Sequence, residues 1–148
     1  MALKIGVVWF KRDLRTVDHE AMVEALKVGP VLPIYILEPK LWQQADMSER
    51  HFAFLSESVH ELSAQLQKNG VKLVIRVGDV VEVLEDIASR HTIQLWSHQE
   101  TWNDWTYQRD IRVKKWCQER GIVWHELPQH GVVRCLRDRD GWAAKWYA

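Results

Sequence analysis

Short apolar runs and amphipathic stripes alternate along this chain, and the alternation predicts its elements. Ile5, Gly6, Val7 and Val8 form a run that barely alternates, so Lys4–Phe10 predicts a first strand buried on both faces. A polar loop runs to Asp18, a predicted N-cap. The helix after it reaches Val28, with Ala21, Met22, Ala25 and Leu26 on one face, and Gly29-Pro30 stops it. Val31–Leu37 is the second apolar strand, closed by Glu38-Pro39. Phe52, Leu55, Val59, Leu62 and Leu66 then recur at helical spacing and predict a long helix lying on a sheet. Asp46, with Glu49 three residues on, has the polarity of its capping box, and Asn69-Gly70 its end.

The pattern repeats twice more. Val71–Val77 predicts the third strand, Gly78-Asp79 a turn, and Val80–Arg90 a helix with Val80, Val83, Leu84, Ile87 and Ala88 inward. Ile93–Ser97 is the fourth strand and His98–Asp104 a polar loop. Trp105–Arg120 is a helix with Ile111, Val113 and Trp116 as its apolar positions, and Ile122–Leu127 the fifth strand. Strand and helix alternate at βαβ length, which predicts a parallel, doubly wound α/β sheet of order 3-2-1-4-5 with helices on both faces. After Pro128 the core-forming period ends. Gln129–Ala148 is therefore expected to pack poorly or to rest on a neighbour, with Trp142 and Trp146 as its apolar contacts.

Composition narrows the partners. The 148 residues suit one domain, and 20 Lys+Arg against 20 Asp+Glu give no net charge, so there is no bulk electrostatic attraction to nucleic acid or membrane. Cys117 and Cys135 stand alone and read as reduced thiols. No charged-then-apolar leader opens the chain and no run approaches the ~20 apolar residues of a membrane span. A cytoplasmic location is expected. Nine tryptophans against three Phe and three Tyr exceed ordinary core filling, and flat ligands use such residues.

In an open sheet of this order the ligand crevice lies beyond the carboxyl ends of the first and fourth strands. The loops there are Phe10–Val17, His98–Asp104 and, next to them, Leu37–Met47. They offer Phe10, Trp42, Met47, Trp102 and Trp105 as apolar walls, and Lys11, Arg12, Asp13, Glu38, Glu100 and Asp104 as polar groups. Such a cleft suits a planar heteroaromatic ligand; the same residues can equally be core edges and surface ion pairs. The first loop has no glycine between Gly6 and Gly29, which argues against a dinucleotide fingerprint or P-loop. No H-E-x-x-H, Cys/His spacing or G-x-S-x-G elbow is present, so no metal site and no catalytic nucleophile is expected.

The segment VWFKRDLRTVDHEAM (residues 8–22) resembles the opening of the DNA photolyase and cryptochrome family, a strand running into W-F-[KR]-R-D-L-R-x-x-D. Tyr35–Pro39, Ala45-Asp46-Met47, Val77-Gly78-Asp79, Arg109-Asp110 and Gly131–Trp142 extend the resemblance over essentially the whole chain. The resemblance implies an N-terminal α/β antenna domain over residues 1–128, with 129–148 beginning the linker to a helical domain that holds FAD and meets damaged DNA. It implies one antenna chromophore, contacted by Phe10, Arg12, Ile36, Leu37, Glu38, Met47 and Glu100. Deazaflavin or flavin is favoured over folate, because Trp105-Thr106 stand where the folate-binding pattern has Asn-Glu. It also implies that this chain alone catalyses nothing. Two other readings remain open: a free-standing nucleotide- or flavin-binding module of similar topology, and a regulatory domain that docks through its tail.

Overall fold

The computed structural model describes residues 3–138 and 140–146, with side chains described to residue 144. The elements alternate as predicted: β1 (Ile5–Phe10), α1 (Glu20–Val28), β2 (Val31–Leu37), a short α2 (Pro39–Trp42), α3 (Glu49–Lys68), β3 (Val74–Val77), α4 (Val80–Arg90), β4 (Ile93–His98), α5 (Asp104–Arg120), β5 (Trp124–Leu127) and α6 (Trp142–Trp146). The five strands form one parallel sheet of order β3-β2-β1-β4-β5. That is the expected α/β architecture.

The two-residue strand period sorts the core into two layers. Val7, Trp9, Ile34, Ile36 and Leu95 point to one face, where they meet Val83, Leu84 and Ile87 of α4 and Val113 and Trp116 of α5. Val8, Phe10, Tyr35 and Trp96 point to the other, against Ala25 of α1 and Val59, Leu62 and Leu66 of α3. α1 lies directly on β1 at Gly6, where a Cβ would meet that of Ala25 at an ordinary contact distance of 3.5 Å.

Several boundaries move, each for a local reason. β3 starts at Val74 and β5 at Trp124, because the residues before them finish a helix. Val71 N donates to Leu66 O at 3.0 Å and Ile122 N to Cys117 O at 2.8 Å, with Gly70 and Gly121 at φ 74° and 63°. These are the six-to-one bonds of a Schellman end. The N-cap of α1 is His19, whose Nδ1 accepts from Met22 N, and not Asp18, which sits at φ 53°. The N-cap of α3 is Ser48, accepting from His51 N, and not Asp46. Leu26, Phe52 and Ile111 are exposed: each lies at the rim of its helix's apolar face or off it. Ile111 stands two residues, about 200° of helical turn, from Val113.

The tail is more anchored than its composition predicts. Most of residues 129–144 are exposed, but half-buried Arg134 pairs with Asp110 and Glu126, both at 2.8 Å. Trp142 is exposed to 41% and borders a groove with Pro128 and Val132. The side chain of Trp146 lies outside the described residues.

Candidate functional site

The carboxyl ends of β1, β2 and β4 open onto a cavity of about 530 Å³, walled by the loops after them and by α3. That volume is in the range of small-molecule sites. Of the residues expected to contact a ligand, Phe10, Arg12, Ile36, Glu38, Met47 and Glu100 line it. Trp42 and Trp102 line it as well. Leu37 does not: its side chain packs toward the α1/α3 layer, and its carbonyl accepts from Gly78 N at 3.0 Å. Trp105, Asp13 and Asp104 also lie off the cavity surface.

The mouth is fastened across three loops. The Arg12 guanidinium stacks over the Trp102 ring at 4.3 Å, and Asp46 accepts from Asn103 Nδ2 at 2.9 Å while Asn103 caps α5. Trp42 meets Phe52 edge-on at 5.2 Å on the opposite wall.

The floor is a buried charge network centred on Arg109. Its Nη1 donates to Glu38 Oε2 at 2.8 Å, its Nη2 to Glu100 Oε2, and its Nε to Asp110 Oδ1 at 3.1 Å. Lys11 Nζ reaches the other oxygen of Asp110 at 3.2 Å and lies 4.3 Å above the Trp9 ring. Burial works against the charge of Arg109, but Glu100, Glu38 and Asp110 outweigh it and hold its pKa above the ordinary value. Burial also works against Asp110, yet Lys11 and Arg109 keep its carboxyl below the usual range. Glu38 goes the other way. Burial dominates over its share of Arg109, Glu100 and Asp79 add repulsion, and its pKa is pushed up to about 7. The two partners shift differently because one guanidinium serves three carboxylates. The cation gains from all of them, while the least compensated acid resists ionising.

Behind the cavity a second cluster locks the loop after β1. Asp13 Oδ2 accepts from His19 Nε2 at 2.6 Å and from His98 Nδ1 at 2.7 Å, and Oδ1 accepts from Lys11 N at 2.8 Å. Burial disfavours the charge of Asp13, but the two histidine bonds overcome it and keep the carboxyl well below the usual range. These three residues have the donor types of a metal centre, with ligand atoms within 4.8 Å of one another. Sequence spacing concealed the grouping, since 85 positions separate Asp13 from His98. The interior position of Arg109 was not expected from the sequence, although the helical stripe it shares with Val113 and Trp116 is the signal that marks its depth.

Comparison with known proteins agrees with this geometry. The family model described as DNA photolyase matches residues 6–142. A deoxyribodipyrimidine photo-lyase of Salmonella typhimurium is 32% identical over 74% of this chain and 24% of its own length. A cryptochrome DASH of Oryza sativa is 32% identical over 92% of this chain and 24% of its own. The chain thus spans about a quarter of the length of these curated relatives. A cryptochrome structure from Synechocystis superposes with a TM-score of 0.73 at 27% identity, covering 85% of this chain and 27% of that one. A class III photolyase from Agrobacterium tumefaciens gives 0.80 at 24%, covering 95% and 29%. No helix among the described residues is long and apolar enough to cross a membrane. Strand order, the W-F-K-R-D-L-R segment at the end of β1 and the family match converge: this chain belongs to the DNA photolyase family, as an N-terminal α/β domain.

Proposed function

We propose that this chain is the antenna-chromophore domain of a photolyase or cryptochrome, residues 1–128 forming the domain and 129–148 leading toward a helical FAD domain. The observation that carries the reading is the cavity at the sheet's switch point. It has aromatic and thioether walls and keeps two buried polar atoms, Glu38 Oε1 and Trp42 Nε1, without a hydrogen-bonding partner among the described residues. A flat heterocycle with polar edges fits that lining. Phe10, Ile36 and Met47 supply apolar contact, Arg12 and Trp102 close the mouth, and Glu38 and Glu100 present carboxylates from the floor.

When bound, the chromophore supplies light absorption and passes its excitation onward. The chain's own part is to hold and orient the ring, exclude water and fix the polarity around it. None of these tasks breaks a bond, so a general base or nucleophile has no role in them. Repair of damaged DNA is the work of the FAD domain in this reading, and the chain alone turns over nothing.

A deazaflavin or flavin is the favoured occupant. The test is titration of deazaflavin, FMN and methenyl-folate into the wild type and into Met47→Trp, which fills the cavity. Binding to the wild type and its loss in the variant are expected. Equal binding to both sinks the antenna site, and light-driven dimer repair by the isolated chain sinks the division of labour.

A further inference from the structure

The segment after β5 is tied to the cavity floor by charge. Asp110 is 4% exposed, and three cations share its carboxylate. Oδ1 accepts from Arg109 Nε at 3.1 Å and Nη2 at 3.0 Å, and Oδ2 from Lys11 Nζ at 3.2 Å and Arg134 Nη2 at 2.8 Å. The Arg134 bond is the shortest of the four, and its donor alone comes from beyond β5. We propose that residues 130–135 are a strap that couples the cavity to the chain beyond, with Arg134 as a positioning residue acting on Arg109 through Asp110. Of the proposed function, this rests only on the reading of residues 129–148 as a connector.

Charge balance makes the coupling run in both directions. Lys11 and Arg109 line the cavity and are buried against three buried carboxylates, Glu38, Glu100 and Asp110, so the floor by itself is one cation short. Buried charge without a partner is costly, and Arg134 brings the third cation. It shares that cation with Glu126, also at 2.8 Å, so the compensation is partial. The least compensated acid is Glu38, whose pKa burial pushes up to about 7. With the strap released, Asp110 draws only on Lys11 and Arg109, and the guanidinium has less left for Glu38 and Glu100. Conversely, a change at either of those carboxylates alters what Arg134 gains at Asp110. Linked equilibria are reciprocal in this way.

Two weaker ties run along the same wall. His130 Nδ1 accepts from Val132 N at 3.4 Å, so Nε2 carries the hydrogen it donates to Thr101 Oγ1 at 3.2 Å, one residue from Glu100. Tyr107 Oη of α5 meets Cys135 Sγ at 3.4 Å. Both ties are exposed and compete with water. The strap therefore has two states: seated, with Arg134 on Asp110, and released, with the guanidinium in solvent.

Both directions are testable without a ligand. Glu38 is titrated by carbon NMR of its carboxyl group in the wild-type chain, in Arg134→Met and in Arg134→Lys, after thermal unfolding has shown each to be folded. Glu38 also faces Arg109, Glu100, Asp79 and Tyr35, all unchanged in these variants. Arg134→Met should raise its midpoint by about 0.5 in pH. Arg134→Lys keeps a cation for Asp110 and should return the midpoint toward the wild type. For the reverse direction, trypsin cleavage after exposed Arg137 is timed in the wild type and in Glu100→Gln. Removing one floor carboxylate leaves Lys11 and Arg109 balanced against Glu38 and Asp110, so Arg134 is held less firmly. Cleavage after Arg137 should quicken about threefold, with cuts elsewhere at wild-type rates. A Glu38 midpoint that stays put in Arg134→Met overturns the inference, because Arg134 then anchors the tail alone. So does unchanged cleavage after Arg137 in Glu100→Gln, and this comparison decides by itself should an Arg134 variant fail to fold. Failure here leaves the chromophore titrations of the proposed function untouched, and failure of those titrations leaves the coupling standing.

Discussion

His98 Nδ1 donates to Asp13 Oδ2 at 2.7 Å and joins the end of β4 to the loop after β1. The same oxygen accepts from His19 Nε2. Because His19 Nδ1 accepts from Met22 N, the ring nitrogen facing Asp13 must carry the hydrogen. A single carboxylate thus fixes a helix start, a strand end and the turn Lys11–Asp13. Asp13→Asn places an amide N–H against these donors. It should lower stability by about 3 kcal/mol, seen in urea unfolding as a lower midpoint with an unchanged slope.

Asp13 also sets the acid limit. Its folded pKa lies below the unfolded one, so its contribution is complete above about pH 4 and fades as pH falls further. Stability measured from pH 6 down to 2 should drop more steeply in the wild type than in Asp13→Asn.

Glu38 gives the opposite slope in a different window. Its folded pKa is raised to about 7 from 4.5, so the folded state holds a proton that the unfolded chain releases. The associated stability is complete below pH 4.5 and is lost as pH rises toward 7, by as much as about 3 kcal/mol. Ligand-free Glu38→Gln should gain on the wild type across that interval. Parallel profiles for the two proteins would contradict the environment described for Glu38.

The mouth clasp should act on kinetics. Arg12→Ala or Trp102→Ala removes a cation–π contact at 4.3 Å, and exposed contacts of this kind contribute about 0.5–1 kcal/mol. Ligand release, followed by stopped flow, should quicken about two- to fivefold with little change in melting temperature.

The α3 stripe should divide by position. Leu62 is fully buried, and Leu62→Ala is expected to cost about 3 kcal/mol. Phe52 is 44% exposed but supports Trp42 edge-on, so Phe52→Ala should cost about 1 kcal/mol while weakening ligand binding. Denaturant curves and one binding titration separate the two.

The sheet order and its helices were legible in the sequence, because parallel strands and amphipathic helices write their burial into a period, and so was the part of the cavity lining carried by the loops after β1, β2 and β4. What was hidden depends on contacts across the sheet. The starts of β3 and β5 were misplaced because apolar Val71 and Ile122 complete helix ends before pairing begins. Leu37 belongs to an apolar strand end, but its side chain packs into the α1/α3 layer without reaching the cavity surface. The meeting of Asp13, His19 and His98 follows only once β1 and β4 are neighbours. Arg134 came from a tail read as unpacked, and no local pattern marks a guanidinium that will find Asp110 24 residues upstream.

Three of the nine tryptophans, Trp9, Trp42 and Trp102, line the cavity at the sheet's switch point. Each is a fluorophore within contact distance of whatever occupies it. A ring whose absorption overlaps indole emission will drain their excited states by dipole coupling, so the protein carries its own optical gauge of occupancy. Trp9 lies close to two cations, Lys11 at 4.3 Å and Arg109 at 4.8 Å, while Trp102 meets solvent at the mouth. Their emission colours should differ, and the order in which they darken would report how deeply the ring has entered.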